Sequence, residues 1–303
     1  MTRWLPSFTG TSGFAAAWIC GFFLMLAVVQ AQPPRPTPDD QARRLLVRAG
    51  EALARRKSVS ANLSQTVRLY GQELLGRGSY LQGPVASRWL LLDLTIKMKE
   101  SEDAVVQQRC DGETLWTLRS VDALPTLTRV DVQRVIEGRA AQPGAAVPVI
   151  GVGGLAELLL ALERSFEFDA VHEAKLTRPS ETLAVYALSG RWRPAMLARW
   201  LPEQKAAIEA GQPADLTKLP PMLPDRVFVL LGRDDLFLYR VEYVREASGK
   251  GRKSDGPFVS LNLGDVVFDE PVDRRQFVFE RGTLPAIDQT EAYLAREQPS
   301  PPQ

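Results

Sequence analysis

Residues 59–69 read VSANLSQTVRL and contain the clearest period-two pattern in the chain. Apolar and polar side chains alternate along most of it, which predicts a β-strand with one buried face and one face in water. The alternation returns in residues 74–82 (LLGRGSYLQ) and 88–98 (RWLLLDLTIKM), after short breaks that contain glycine. Consecutive strands joined by short turns predict antiparallel pairing.

Further strands extend this predicted sheet. The Asp111-Gly112 pair predicts a tight hairpin between residues 105–109 and residues 114–118. Strand patterns recur later in the chain and bring the total to about nine strands. The later segments are residues 127–132, 183–188, 226–231, 237–245 and 258–268.

Helical periodicity appears in three places. Residues 45–54 have apolar side chains at a spacing of three and four after an acidic pair, which predicts an amphipathic helix. Residues 155–166 place their leucines on one stripe, and we interpret residues 151–154 (GVGG) before them as a flexible hinge. Residues 196–210 show the same period less clearly. The chain is therefore predicted to be α+β, with an open, strongly curved antiparallel β-sheet, an incomplete barrel, covered by helices.

The two ends of the chain have a different composition. An uncharged apolar run at residues 14–29 follows Arg3 and ends in Val-Gln-Ala, which predicts a signal peptide over residues 1–31. An uncleaved membrane anchor is the alternative for this segment. A Pro-rich tether over residues 32–39, one folded domain over residues 40–295 and a disordered tail over residues 296–303 complete the predicted organisation. We expect the protein in the periplasm or another extracytoplasmic space of the envelope.

Composition and motifs argue against several functions. The chain has 37 Lys plus Arg against 36 Asp plus Glu, so a net charge of +1 gives no reason to expect nucleic acid. The chain has one histidine, His172, and no serine nucleophile motif with which it could form a catalytic triad. His172 is about sixty residues from Cys110, so the two lack the clustered spacing of a metal site. Asp234-Asp235 is interpreted as a turn, and Cys110 as a structural thiol. We predict no enzyme activity, no metal and no cofactor.

A series of motifs, taken in order, resembles the LolA-type periplasmic lipoprotein carriers. The Asp-Gly-x-Thr-Leu-Trp hairpin, here DGETLW, is the most specific of them. In place of the Arg-Pro pair that the family has after its G-x-G strand, this chain has residues 82–84 (QGP), so the family's gate is missing. The motifs that carry the resemblance are residues 59–66 (VSANLSQT), 76–80 (GRGSY), 88–89 (RW), 111–116 (DGETLW), 155–164, 227–235 (VFVLLGRDD) and 277–288.

The resemblance implies a carrier that holds the acyl chains of a lipid or an acylated lipoprotein in an apolar cavity. It also implies a monomer, with envelope membrane proteins as further partners. Two alternatives remain open: a filled core without a cavity, and an envelope sensor or scaffold that docks a partner protein through the same half-barrel. The predicted cavity residues are Leu63, Val67, Leu90, Leu92, Leu94, Trp116, Leu155, Leu158, Leu159, Leu162, Val229, Leu231, Phe237, Tyr239 and Val241.

Overall fold

A capped helix opens the ordered chain. The Thr37 hydroxyl accepts a hydrogen bond from the Asp40 backbone N–H, and the Asp40 carboxylate accepts one from the Thr37 backbone, so helix α1 (Pro38–Ala54) begins inside the predicted tether. The computed structural model describes residues 37–69, 72–98, 102–141, 148, 150–179, 181–245 and 256–296. The predicted signal peptide, residues 32–36 of the predicted tether and residues 297–303 of the predicted tail lie outside the described residues.

In the described part of the chain, thirteen strands follow α1 and form one sheet. They are β1 (Val59–Leu69), β2 (Gln72–Gln82), β3 (Trp89–Lys97), β4 (Ala104–Asp111), β5 (Thr114–Val121), β6 (Leu124–Asp131), β7 (Phe166–Phe168), β8 (His172–Thr177), β9 (Thr182–Trp192), β10 (Arg226–Gly232), β11 (Leu238–Val244), β12 (Val259–Phe268) and β13 (Ala286–Asp288). Five further α-helices are α2 (Val132–Ala141), α3 (Gly154–Ser165), α4 (Pro194–Trp200), α5 (Lys205–Glu209) and α6 (Thr290–Arg296).

The sheet confirms the predicted fold class. Its strand order is β13-β6-β5-β4-β3-β2-β1-β12-β11-β10-β9-β7, and β8 also pairs with β9. The two outermost strands, β13 and β7, do not pair with each other among the described residues, so the sheet does not close into a barrel. All pairs are antiparallel except β13 with β6, whose parallel pairing makes the sheet mixed.

One face of the sheet is apolar and carries the core. We call it the core face, and the opposite side the outer face. On β1 the core face bears Val59, Ala61 and Leu63, all buried, while Asn62 and Ser64 between them are exposed on the outer face. Helices α1 and α3 pack against each other and bury their apolar stripes in the same core. The apolar residues of the alternating strands and of the helical stripes therefore pack into the same core.

One local prediction was wrong, and one strand is less regular than its sequence pattern. The helix expected over residues 196–210 breaks at Leu201-Pro202 into α4 and α5, because proline has no N–H for the helical hydrogen bond. On β11, a register shift places Leu238 opposite Leu231 and Arg240 opposite Leu230. The extra residue interrupts the alternation, so Leu238 and Tyr239 are both buried.

Candidate functional site

The predicted cavity residues mostly meet in one cluster. Apart from Val67 and Trp116 they are all buried and belong to a single core, with Leu155, Leu159 and Leu162 of α3 at 0% exposure. In this cluster, alternate residues of the strands point towards the helices. The apolar pattern therefore predicted which residues lie inside.

Trp116 lies elsewhere. In the β4–β5 hairpin Leu115 pairs with Cys110 and faces the core, so its neighbour Trp116 pairs with Arg109 on the outer face. There its ring stacks on Phe279, with centroids 5.8 Å apart, and Trp89 stacks on Phe277 at 5.5 Å. The prediction that Trp116 lines the cavity is therefore wrong.

Trp89 on β3 and Trp116 on β5 are separated by β4 in the sheet. Both are partly buried by the segment that follows β12 and crosses the outer face before β13. The F-x-F pattern at residues 277–279 was the sequence signal for this crossing segment.

The start of α3 is fixed to the sheet by buried hydrogen bonds. The Leu155 backbone N–H is shared between the Tyr80 hydroxyl oxygen at 3.1 Å and the Gln82 side-chain oxygen at 3.3 Å. The Tyr80 hydroxyl itself donates to that Gln82 oxygen. Burial raises the pKa of Tyr80, so the hydroxyl keeps its proton and remains a donor. These bonds satisfy a helix N–H that would otherwise lack a partner.

The glycines before α3 have a packing role. Gly153 and Gly154 have φ angles of +91° and +62°, which L side chains rarely adopt. A Cβ on Gly154 would stand 2.6 Å from the Gln82 side-chain oxygen, and a Cβ on Gly151 would stand 2.6 Å from the Tyr293 hydroxyl. The close approach accounts for these glycines and favours a fixed junction over the predicted flexible hinge.

Burial on the core face changes along the strands. On β1, Leu63 is 3% exposed, but Val67 four residues on is only partly buried. Its cross-strand partners Val259 and Leu74 are partly buried as well, as are Leu261 and Ile96 one row away. We call these five residues the open end of the core face. They form an incompletely covered apolar strip over β12, β1, β2 and β3, interrupted on β1 by the partly buried Gln65, which pairs with Leu261 and Gly76.

Other chemically notable residues take ordinary structural positions. His172 is exposed on β8, and Asp235 accepts hydrogen bonds from the Phe237 backbone N–H at 2.9 Å and the Tyr239 hydroxyl at 2.7 Å, as in a turn. Burial raises the pKa of the Cys110 thiol to about 11. Within the described ranges, no group of three or more His, Cys, Asp or Glu side chains could hold a metal ion. None of the helices in the described part of the chain is long and apolar enough to cross a membrane.

Comparison with known proteins gives structural likenesses only. No family model matches the sequence, and no curated protein matches it. A conserved protein of Thermus thermophilus aligns over 82% of this chain and 99% of its own, with 10% identity and a TM-score of 0.40. LprF from Mycobacterium bovis aligns over 78% of this chain and 96% of its own, with 12% identity and a TM-score of 0.36.

A third likeness bears the family name that the sequence motifs suggested. The LolA superfamily protein NE2245 from Nitrosomonas europaea aligns over 78% of this chain and 97% of its own, with 13% identity and a TM-score of 0.28. Similarity at this level assigns neither a ligand nor a partner. The sequence motifs resemble those of the LolA-type carriers, and the likeness to these three solved structures lies at 10–13% identity.

Proposed function

We propose that the protein binds the acyl chains of a lipid or an acylated protein at the open end of the core face, in an extracytoplasmic space of the envelope. The observation that carries the proposal is the incompletely covered apolar strip of Val67, Leu74, Ile96, Val259 and Leu261. It is continuous with the buried core, so a chain lying on it would extend the packed interior.

Apolar burial alone supplies enough binding energy. Each CH₂ group removed from water contributes about 0.8 kcal/mol, so a chain of ordinary lipid length gains several kcal/mol even when it is partly covered. The strip needs no cofactor or charged residue for this. Within the strip, Val67 pairs with Val259 and Leu74, so three apolar side chains lie side by side.

Entry at this end is favoured by the contacts of α3. The N-terminus of α3 is hydrogen-bonded to Tyr80 and Gln82, far along β2 from Leu74. Its buried leucines remain in place while a ligand meets the partly covered strip. Opening of the helix at its N-terminus is therefore not required for binding.

A charge placed at the open end tests the proposal. Leu261→Glu should lower uptake of a fluorescent fatty-acyl probe at least about tenfold, because a carboxylate in an apolar site loses its hydration without a partner. Val267→Glu is the matched control, since Val267 lies on the same strand and is 41% exposed. Circular dichroism and urea unfolding should show both variants folded.

The lipid itself can be sought directly. Native mass spectrometry of protein purified from its own envelope should show a bound acyl species. Wild-type protein that retains no lipid and takes up no probe would contradict acyl-chain binding. The partner-docking scaffold would then be the better hypothesis.

A further inference from the structure

The outer face of the central strands carries an open pocket of about 620 Å³. Strands β1, β2, β11 and β12 form its floor, and the turn after β8 forms one wall. This volume lies in the range of pockets that hold small organic ligands, ~300–1,000 Å³. The pocket is on the opposite side of the sheet from the core and does not depend on acyl-chain binding.

Strand register brings polar side chains together across the floor. Arg240 on β11 is opposite Asn262 on β12, Asn262 is opposite Ser64 on β1, and Ser64 is opposite Arg77 on β2. Neighbouring strands are about 4.8 Å apart, so the whole row spans roughly 15 Å. Two guanidinium groups therefore flank a row of hydrogen-bonding side chains.

A third arginine reaches the pocket from the turn after β8. The Arg178 guanidinium lies over the Tyr239 ring, 4.7 Å from its centroid, and donates to the Leu263 carbonyl oxygen. Its side chain is only 15% exposed. Stacking and burial hold this cation in place before any ligand arrives.

The Arg240 side chain is also positioned by its neighbours. Its Nε donates to the Asn262 side-chain oxygen at 2.5 Å, and its Nη1 lies 3.5 Å from the Glu242 carboxylate. Glu181 stands in the same relation to Arg178, at 3.5 Å. Neither glutamate is among the residues that line the pocket.

Arg77 differs from the other two arginines. It is exposed, and among the described residues it has no carboxylate partner and no hydrogen bond from its side chain. A guanidinium group can present up to five N–H donors to a ligand. The remaining acid nearby, Asp265, accepts a hydrogen bond from the Asn62 amide at 2.7 Å and is not among the lining residues.

We propose that this pocket binds a phosphate group. Guanidinium groups bind phosphate through paired, charge-assisted N–H···O bonds, and a tetrahedral phosphate has enough oxygens to engage more than one of them. Arg178 on the wall and Arg240 on the floor are held in position by their neighbours, and Arg77 contacts the anion from the opposite side of the floor. The described lining residues include no carboxylate to oppose it.

Arg77→Glu tests this site, with Arg119→Glu as the matched control. Arg119 is an exposed arginine on β5 of the same sheet, so both variants change the net charge equally. Inorganic phosphate is titrated by calorimetry, and flotation is measured with phosphatidylcholine vesicles with and without phosphatidic acid. Arg77→Glu should weaken binding about tenfold or more, since it replaces a fork of donors by a repelling charge. Arg119→Glu should bind as the wild type does.

The two ligands distinguish the sources of the phosphate. Binding to vesicles only when they contain phosphatidic acid, lost in Arg77→Glu, assigns the pocket to a lipid headgroup. Binding of inorganic phosphate alone, lost in the same variant, assigns it to a free or water-soluble phosphate. Failure of the wild type to bind either, or an equal loss in Arg119→Glu, would overturn the proposal. Probe uptake at the open end is measured separately, so the two proposals can fail independently.

Discussion

The two ends of the core face differ although the same strands build both. At one end Leu63 and Leu263 pair across β1 and β12 and are 3% and 1% exposed. Two rows further on, Val67 and Val259 pair in the same way and are only partly buried. Strand alternation selects the face of the sheet, and the covering helices decide which part of that face is removed from water.

The covered end, which we call the closed end, is the stable part of the molecule. Leu159 of α3 is 0% exposed there, and α3 is hydrogen-bonded to Tyr80. Complete burial of a leucine side chain contributes about 1.5–3 kcal/mol, and partial burial contributes proportionately less. The open end thus contributes less to stability per residue and remains available for a ligand.

Cysteine labelling should show the largest difference between the ends. Cys110 lies at the closed end, opposite Leu90 and Leu115, and is 1% exposed. Burial raises the pKa of its thiol to about 11, so at pH 8 almost no thiolate is present in the folded protein. In a Leu261→Cys variant the new thiol should react with an alkylating reagent about a thousandfold faster than Cys110, because Cys110 reacts only after opening.

Peptide mapping by mass spectrometry assigns each labelled position, and urea-unfolded protein gives the reference rate. Cys110 should also make stability fall as the pH rises from about 9 towards 11, because the unfolded chain loses the thiol proton before the folded one does. Equal labelling rates at the two positions would show that the closed end opens as readily as the open end.

Truncation inside α3 should have the next largest effect. Leu159→Ala removes a completely buried side chain and should lower the free energy of unfolding by about 3–5 kcal/mol. Leu160→Ala, on the partly buried side of the same helix, should cost about 1 kcal/mol or less. Urea denaturation measures both. Similar losses in the two variants would mean that the closed end is not tightly packed around α3.

The strands were predictable because local pattern and tertiary structure agree. The alternation in residues 59–69 gave β1 with its observed bounds, Val59–Leu69, and the Asp-Gly turn gave the β4–β5 hairpin. The parallel strand β13 was missed, since three residues are too few to show a period. Helix α2 was missed too, because it begins at the last residue of a predicted strand.

The site was less predictable than the fold. Apolar alternation identified Leu63 and Val67 equally, yet Leu63 is buried and Val67 is only partly buried, because alternation does not say which part of a face other elements cover. The pocket on the outer face depends on cross-strand register and on the turn that carries Arg178, which no single segment encodes. Trp116 was assigned to the wrong face because the hairpin turn alone does not say which of two neighbouring residues points inward.

The smallest expected effect concerns the hydrogen bonds that hold α3 at the closed end. Tyr80→Phe removes the hydroxyl that accepts from the Leu155 N–H, while the Gln82 side-chain oxygen at 3.3 Å still satisfies that N–H. The loss in the free energy of unfolding should therefore be only about 1–2 kcal/mol. Exchange of the α3 amide hydrogens should nevertheless become faster, because the helix start is no longer held from both sides. Tyr186→Phe is the matched control, since Tyr186 lies partly buried on β9, and it should change neither quantity. Unchanged α3 exchange in Tyr80→Phe would mean that packing of the leucines alone fixes the helix, and that the buried hydroxyl has no part in keeping this end closed.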